Sequence, residues 1–370
     1  MQMAANGFLE PTADTPEILS QTSVADICPA VRLRQGSSKR GVETLYGPLL
    51  EPVQTGHALD DEVRKKSSSG GVITAVLLYL LDHKVIDAVL HVGKDRSDPT
   101  RNAVFLSRTR EDVIRNSGSR YSPSSVLAEL SSALKASSAL AVVGKPCDIA
   151  GVRNYLEGRP GDQAKVIITI SFMCMGLPSF NATRQLLGEL NPTGEPITDF
   201  WYRGNGWPGE MTVCTDKNQF RRSYESAWQT LGRATPFRCK ICPDGFGELA
   251  DFSSGDAWFA KDCGPSFENA NDGRSFVFVR TPVGQELVNA AAAAGYLVLN
   301  SYDIQEMILI QKYQVLRKIY AGVRYTLLKW LRCHYLDFQG MSLLVNLRFA
   351  KVRTLIGEIR GFLMRFRDHY

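Results

Sequence analysis

Five cysteines fall between residues 147 and 242, and four of them have the setting of metal ligands: Cys147 in GKPCDIAG, Cys174 in SFMCMG, and the pair Cys239 and Cys242 in FRCKICPDG. The fifth, Cys214, stands alone in a strand-like run. Thiolates are soft, anionic ligands that suit either a structural zinc or an iron–sulfur cluster. Zinc ribbons usually draw on two close pairs, and here only Cys239 and Cys242 are close, so the scattered set fits a cubane cluster better than a ribbon. Read alone, the CKIC pair would serve equally as a redox dithiol or as a surface pair that binds nothing, and single buried cysteines are common in cores. Cys333 reads as a packing residue, Cys28 stands alone before Pro29, and Cys263 in GDAWFAKDCG has no ligand spacing of its own.

A second cluster of useful residues lies upstream. SSSGGVIT (67–74) brings the hydroxyls of Ser67, Ser68 and Ser69 and the flexible Gly70 and Gly71 together with the free amides of a helix N-terminus, which is how a chain cradles phosphate without using charge. Arg64, Lys65 and Lys66 precede it and can add positive charge. A Ser-Gly turn that merely caps a core helix would read the same, and the stretch is neither a P-loop nor a strand-following GxGxxG. GSRY (118–121) is a turn carrying one cation, Arg120, and one aromatic, Tyr121, after Ser119. Lys145, between a strand and Cys147, is placed to stabilise a reduced, anionic cofactor or to be a solvated loop lysine. The five histidines form no cluster in the sequence, and no Ser/His/Asp arrangement is present.

The elements that must hold these residues are legible in outline. SALAVVG (138–144) and KVIITISFM (165–173) are buried-strand patterns separated by a helical DIAGVRNYL, the length that a right-handed parallel crossover needs. Parallel strands end on one edge of a sheet, so Cys147 and Cys174 are expected together at the edge where open α/β sheets bind ligands. VITAVLLYLLDH is a buried helix with the preceding serines as N-caps. IDAVLHVG, AVFLSRT and GRSFVFVRT read as further strands. The expected fold is α/β: a mixed, partly parallel sheet flanked by helices, with a cysteine-bearing loop region and a basic helical C-terminal extension. Its divisions are a flexible lead-in (1–44), a catalytic domain (45–302) and the extension (303–370).

With 370 residues, 44% of them hydrophobic and 22% charged, the chain can bury one large core or two ordinary ones. Eight cysteines are too few and too unevenly spaced for a disulfide-stapled secreted domain. No run of about 18 apolar residues marks a spanning helix, and no basic segment followed by an apolar one marks a secretory signal, so the cytoplasm is the expected location. Residues 311–370 hold twelve Lys and Arg against three Asp and Glu, so the net charge of +5 resides in the tail and the rest is slightly acidic. No chain-wide nucleic-acid surface is expected. In the tail, basic residues alternate with Leu, Ile, Tyr, Trp and Phe; such a segment packs on the body, forms a homo-oligomer interface, or lies peripherally on an anionic membrane.

Taken together, SSSGGVITA, GSRY, GKPCDIAGVRNYL, SFMCMGLPS, FWYRGNGW, FRCKICPDGFGELADFSSGDAWF and RSFVFVRTPVGQEL, in that order, resemble the family of coenzyme F420-reducing hydrogenase and dehydrogenase beta subunits. That family also includes 7-hydroxymethyl chlorophyll a reductase, and related sequences occur among bacterial polysaccharide-biosynthesis proteins. The resemblance covers roughly residues 45–300. It implies an iron–sulfur flavoprotein oxidoreductase, with FAD at Ser67–Gly71, Ser119–Tyr121 and Lys145, and a 4Fe-4S cluster on Cys147, Cys174, Cys239 and Cys242. It further implies a small organic redox substrate, with coenzyme F420 a candidate, and a redox partner protein as electron donor. From another class, the same residues fit a non-catalytic scaffold stabilised by a metal. The chain departs from the family in having Lys145 for the usual Thr, Met175 for the usual His, and only Cys28 where many members carry an N-terminal cysteine module.

Overall fold

The computed structural model describes residues 1–12, 22–35, 41–261, 264–267, 273–331 and 336–367. Cys263, Cys333, His334 and His369 lie outside the described residues.

Eight strands form the main sheet: β1 (Gln54–Ala58), β2 (Ala88–Lys94), β3 (Asn102–Ser107), β4 (Leu140–Gly144), β5 (Val166–Phe172), β6 (Phe252–Asp256), β7 (Ser275–Val279) and β8 (Leu297–Ser301). They lie in the order β8-β1-β7-β6-β5-β4-β2-β3. The four central strands β6, β5, β4 and β2 run parallel, and the flanking pairs are antiparallel. The expected α/β class and mixed, partly parallel sheet are therefore both present.

The helices that cover the sheet are α1 (Val72–Asp82), α2 (Val126–Ala136), α3 (Pro146–Leu156) and α4 (Pro282–Ala293). Alternation along β4 explains how they divide between its faces. Leu140 and Val142 join residues of α2 and α3 in one buried cluster, while Ala141 and Val143 join α1 and α4 in another. A strand buried on both faces has no polar side to alternate with, which is why LAVVG is apolar throughout. β4, α3 and β5 make the crossover, with Val142 opposite Thr169 and Gly144 opposite Ser171.

A smaller antiparallel sheet (Ile197–Trp201, Glu210–Thr215, Gln219–Ser223) packs with helices Phe180–Leu190 and Tyr224–Leu231 around Phe200, Tyr202 and Met211. Cys214 sits in its middle strand, where Gln219 donates to its sulfur at 3.4 Å.

The two ends of the chain meet. Arg32–Arg34 pairs in parallel with Asp337–Gln339. The extension contributes helices α5 (Lys312–Ile319), α6 (Ala321–Trp330) and α7 (Val352–Arg367). Ala321, Leu328 and Phe362 enter the cluster under α2 and α3, while Val315 and Ile319 enter an aromatic cluster with Tyr46, Phe246 and Phe276. Each Val, Leu, Ile or Phe side chain among these contributes about 1.5–3 kcal/mol when fully buried. Lys318 of α5 pairs with Glu248 at 2.5 Å, with both side chains almost completely buried.

Candidate functional site

The cysteines are positioned by strand ends and by loops laced to them. Cys147 occupies the first turn of α3, directly after β4, and Cys174 follows the end of β5 by two residues. The loop from 237 to 245 closes over them. Cys174 N donates to Gly245 O at 3.0 Å, and Leu177 N donates to the sulfur of Cys239 at 3.5 Å. Gly176 takes a φ of 125°, and a side chain there would strike Thr235 at 2.9 Å, so glycine lets the two loops touch. The four thiols interact electrostatically: Cys147 with Cys174, Cys174 with Cys239 and Cys242, and Cys239 with Cys242. All six described cysteines are free thiols.

Burial pushes the Cys147 thiol well above its ordinary range and that of Cys174 up to about 12; it raises Cys239 as well. Binding a metal would expel those protons. The cations Lys145, Arg238 and Arg317 oppose the rise. Among the described residues no group of three or more His, Cys, Asp or Glu side chains is arranged to hold a single metal ion.

Beside the thiols opens a cleft of about 280 Å³. Ser67, Ser68, Ser69, Gly71, Ser119, Arg120, Tyr121 and Lys145 all line it, as do Cys174 and Met175; Gly70 is buried just behind. The serines do not cap α1, contrary to expectation. Its N-cap is Gly71, at φ 78° and without a side-chain hydrogen bond. The preceding residues are instead threaded against the sheet: Gly70 O accepts from Ala58 N at 2.7 Å, and Gly70 N donates to Ser275 Oγ at 2.8 Å. Ser69 donates to Arg274 O at 3.0 Å, and Ser68 Oγ accepts from Ser119 N at 2.6 Å, joining the SSSGG and GSRY segments. Ser67 Oγ is buried and has no hydrogen-bond partner. An uncapped helix N-terminus next to an orphaned hydroxyl in a cleft has the chemistry of an anion site and fits a phosphate group.

The cations are less free than their sequence suggests. Arg120 is spent on the protein, donating to Asn102 Oδ1 and to the carbonyls of Pro99, Arg101 and Phe200. Lys145 Nζ is held by Asp148 at 2.6 Å and Ser124 Oγ at 3.2 Å. Burial works against its charge, but Asp148 and the neighbouring thiols more than offset this and keep it an ammonium. Arg64 donates to Gly273 O, outside the cleft.

Sequence reasoning missed several walls of the cleft. Gln311 and Gln314 come from the extension, and Tyr224, Trp228 and Trp258 supply aromatic surface. Arg203, 2% exposed, is clamped to Asp256 at 2.8 and 3.1 Å beneath Tyr224 and Trp258. Trp258 and Asp256 belong to the DAWF segment, where an acidic residue two positions before a tryptophan is the signal in the sequence.

Comparison with known proteins places the cysteines and most of the cleft in one family. Residues 53–131 match the N-terminal part, and residues 137–305 the C-terminal part, of the coenzyme F420 hydrogenase/dehydrogenase beta subunit. The chain belongs to this family. Its members are oxidoreductase subunits. The beta subunit of coenzyme F420 hydrogenase from Methanococcus voltae is 25% identical over 259 residues, covering 66% of this chain and 82% of that protein. One subunit of the F420H2 dehydrogenase of Methanosarcina mazei is 32% identical over 225 residues, 60% of this chain and 58% of the relative. In fold, the chain resembles a subunit of the F420-reducing [NiFe] hydrogenase complex from Methanosarcina barkeri, with a TM-score of 0.61 at 21% identity, over 81% of this chain and 99% of that one. The segments that match the family end at residue 305, before α5 begins.

Proposed function

We propose that this chain is an iron–sulfur flavoprotein reductase whose Cys147, Cys174, Cys239 and Cys242 hold a 4Fe-4S cluster and whose cleft binds FAD. Bound together, these groups would pass electrons between cluster and flavin, and hydride between flavin and a small organic substrate such as a deazaflavin, with a redox partner protein as donor. One observation carries the reading: the Ser67–Gly71 cradle and Cys174 line the same cleft. Four neighbouring thiols, only two of them close in sequence, suit a cluster of several irons better than a zinc ribbon, which draws on two close pairs. The chain's own part is to cradle phosphate on the α1 amides and Ser67, to wall the cleft with Tyr224, Trp228 and Trp258, and to keep Lys145 charged against Asp148.

Anaerobic purification tests it. The expected product is brown, with about four irons and one FAD per chain. Cys239→Ala should lose iron and keep flavin, whereas colourless protein holding zinc and no flavin would establish the scaffold instead.

A peripheral location at an anionic membrane is favoured by the outer face of α7. Val352, Ile356 and Leu363 fall on one exposed stripe, with Arg353 and Arg360 beside them. Among the described residues no helix is long and apolar enough to cross a membrane.

A further inference from the structure

Arg317 lies in α5, beyond the segments that match the family, and is 3% exposed. Its Nη2 donates to the carbonyl oxygen of Cys174 at 2.5 Å and to Oε1 of Gln314 at 2.6 Å. Gly245, in the loop after Cys242, packs so closely that a Cβ there would come within 2.0 Å of the same nitrogen. The guanidinium is thus wedged between the two cysteine-bearing loops.

Its charge balance is unusual for this part of the chain. Neighbouring cations in the extension have carboxylates: Lys318 has Glu248 at 2.5 Å, and Arg324 has Glu358 at 2.6 Å. Among the described residues no carboxylate forms an ion pair with Arg317. A guanidinium does not shed its proton, and a buried charge without a counter-charge is costly. The groups around it that become anionic on binding a metal are the sulfurs of Cys174 and Cys239. Arg238, from the CKIC loop, faces Cys242, Cys147 and Cys239 in the same way. Lys145 is already matched by Asp148.

We propose that Arg317, delivered by the C-terminal extension, is a counter-charge of the thiolate centre and holds its reduction potential up. This rests on the four cysteines being ligands of an iron–sulfur cluster. One-electron reduction by an external reductant adds one negative charge to the centre without a proton, and a fixed cation nearby favours that state. Arg317 is a tuning and positioning residue; it touches a ligand's backbone and no substrate.

The test is an anaerobic redox titration of the full chain with dithionite, followed by electron paramagnetic resonance, with iron content measured on each sample. Arg317→Gln is expected to keep its iron while reduction becomes at least tenfold less favourable, a drop of about 59 mV for a one-electron couple. Gln314→Glu sets a carboxylate against the guanidinium without moving it and should lower the midpoint in the same direction. Arg317→Lys retains the charge and should stay near the wild-type midpoint. Should both neutralising variants lose iron while Arg317→Lys keeps it, the charge is needed for assembly, which supports the role. Wild-type midpoints in the neutralised variants, or iron loss in all three, would overturn it. A wild-type chain that binds no iron overturns the cysteine reading beneath it as well.

Discussion

Replacing Lys318 with Met should destabilise the fold by about 1.4 kcal/mol more near pH 8 than near pH 5, the most that proton linkage adds over the one pH unit above the Glu248 pKa. Lys318 Nζ donates to Glu248 at 2.5 Å and to Met341 O at 3.1 Å; Glu248 is completely buried, and its Oε2 has no hydrogen-bond partner. Burial pushes the Glu248 carboxyl up to about 7 even with Lys318 opposing it. Its folded pKa therefore lies above the unfolded value of about 4.3. The unfolded chain binds fewer protons between the two, so stability is fully present below the unfolded pKa and falls as pH rises through the folded one, by roughly 3.5 kcal/mol. Without Lys318 the folded value climbs further and the loss continues to higher pH. That is a large share of the roughly 5–15 kcal/mol that holds a domain folded.

Urea unfolding followed by tryptophan fluorescence, with variant and wild type compared at each pH, measures this directly. The comparison matters because His91 titrates with the opposite sign: burial lowers it to about 4, so its contribution is lost as pH falls. Lys318→Met combined with Glu248→Gln should recover most of the stability near pH 8. An equal loss at both pH values would refute the assignment of Glu248 as the ionised partner, and a loss below about 1 kcal/mol near pH 8 would refute the burial of the pair.

Three further outcomes are expected. Gly70→Ala should cost about 1–3 kcal/mol and weaken flavin retention, because the new Cβ would lie 2.5 Å from Gly56 O and 2.8 Å from Ser275 N, both backbone atoms; differential scanning calorimetry with a flavin assay checks it. His91→Gln should remove a loss of roughly 3 kcal/mol that the wild type suffers between about pH 6.5 and 4, read from urea midpoints across that range. Arg353→Glu with Arg360→Glu should weaken binding to phosphatidylserine vesicles by about 1 kcal/mol for each cation removed; flotation that is equally strong on neutral vesicles would count against surface attachment.

The crossover and its two cysteines are legible in the sequence because strand ends are local features: an apolar run stops, a glycine or proline follows, and parallel pairing puts Cys147 and Cys174 on one edge. The SSSGG segment is half legible. Its composition points to a phosphate cradle, yet the same serines suggest N-caps, and only the sheet contacts of Gly70 show why Gly71 takes that place. Arg317 and Lys318 are the opposite case. In sequence they belong to a basic run that reads as packing on the body, forming an oligomer interface or lying on a membrane, and periodicity marks which side of a helix is covered without saying by what. Their partners, Cys174 and Glu248, lie 143 and 70 residues away.

That displacement changes what the extension is for. A basic helix added to the end of a domain would ordinarily sit on its surface, with its charges in water and its removal cheap. Here α5 sends Gln314 to the cleft, Arg317 to the thiols and Lys318 to the loop that follows them, all within two turns. Positions i, i+3 and i+4 lie on one face of a helix, so a single side of α5 reaches all three partners, while Lys312 on the opposite side is exposed. Helix α5 thus lies between the cysteine loops and the rest of the extension, with Tyr320, at its C-terminal end, receiving the backbone N–H of Lys351 at 3.0 Å. Any movement of the basic tail would reach the loop of Cys174 through that helix.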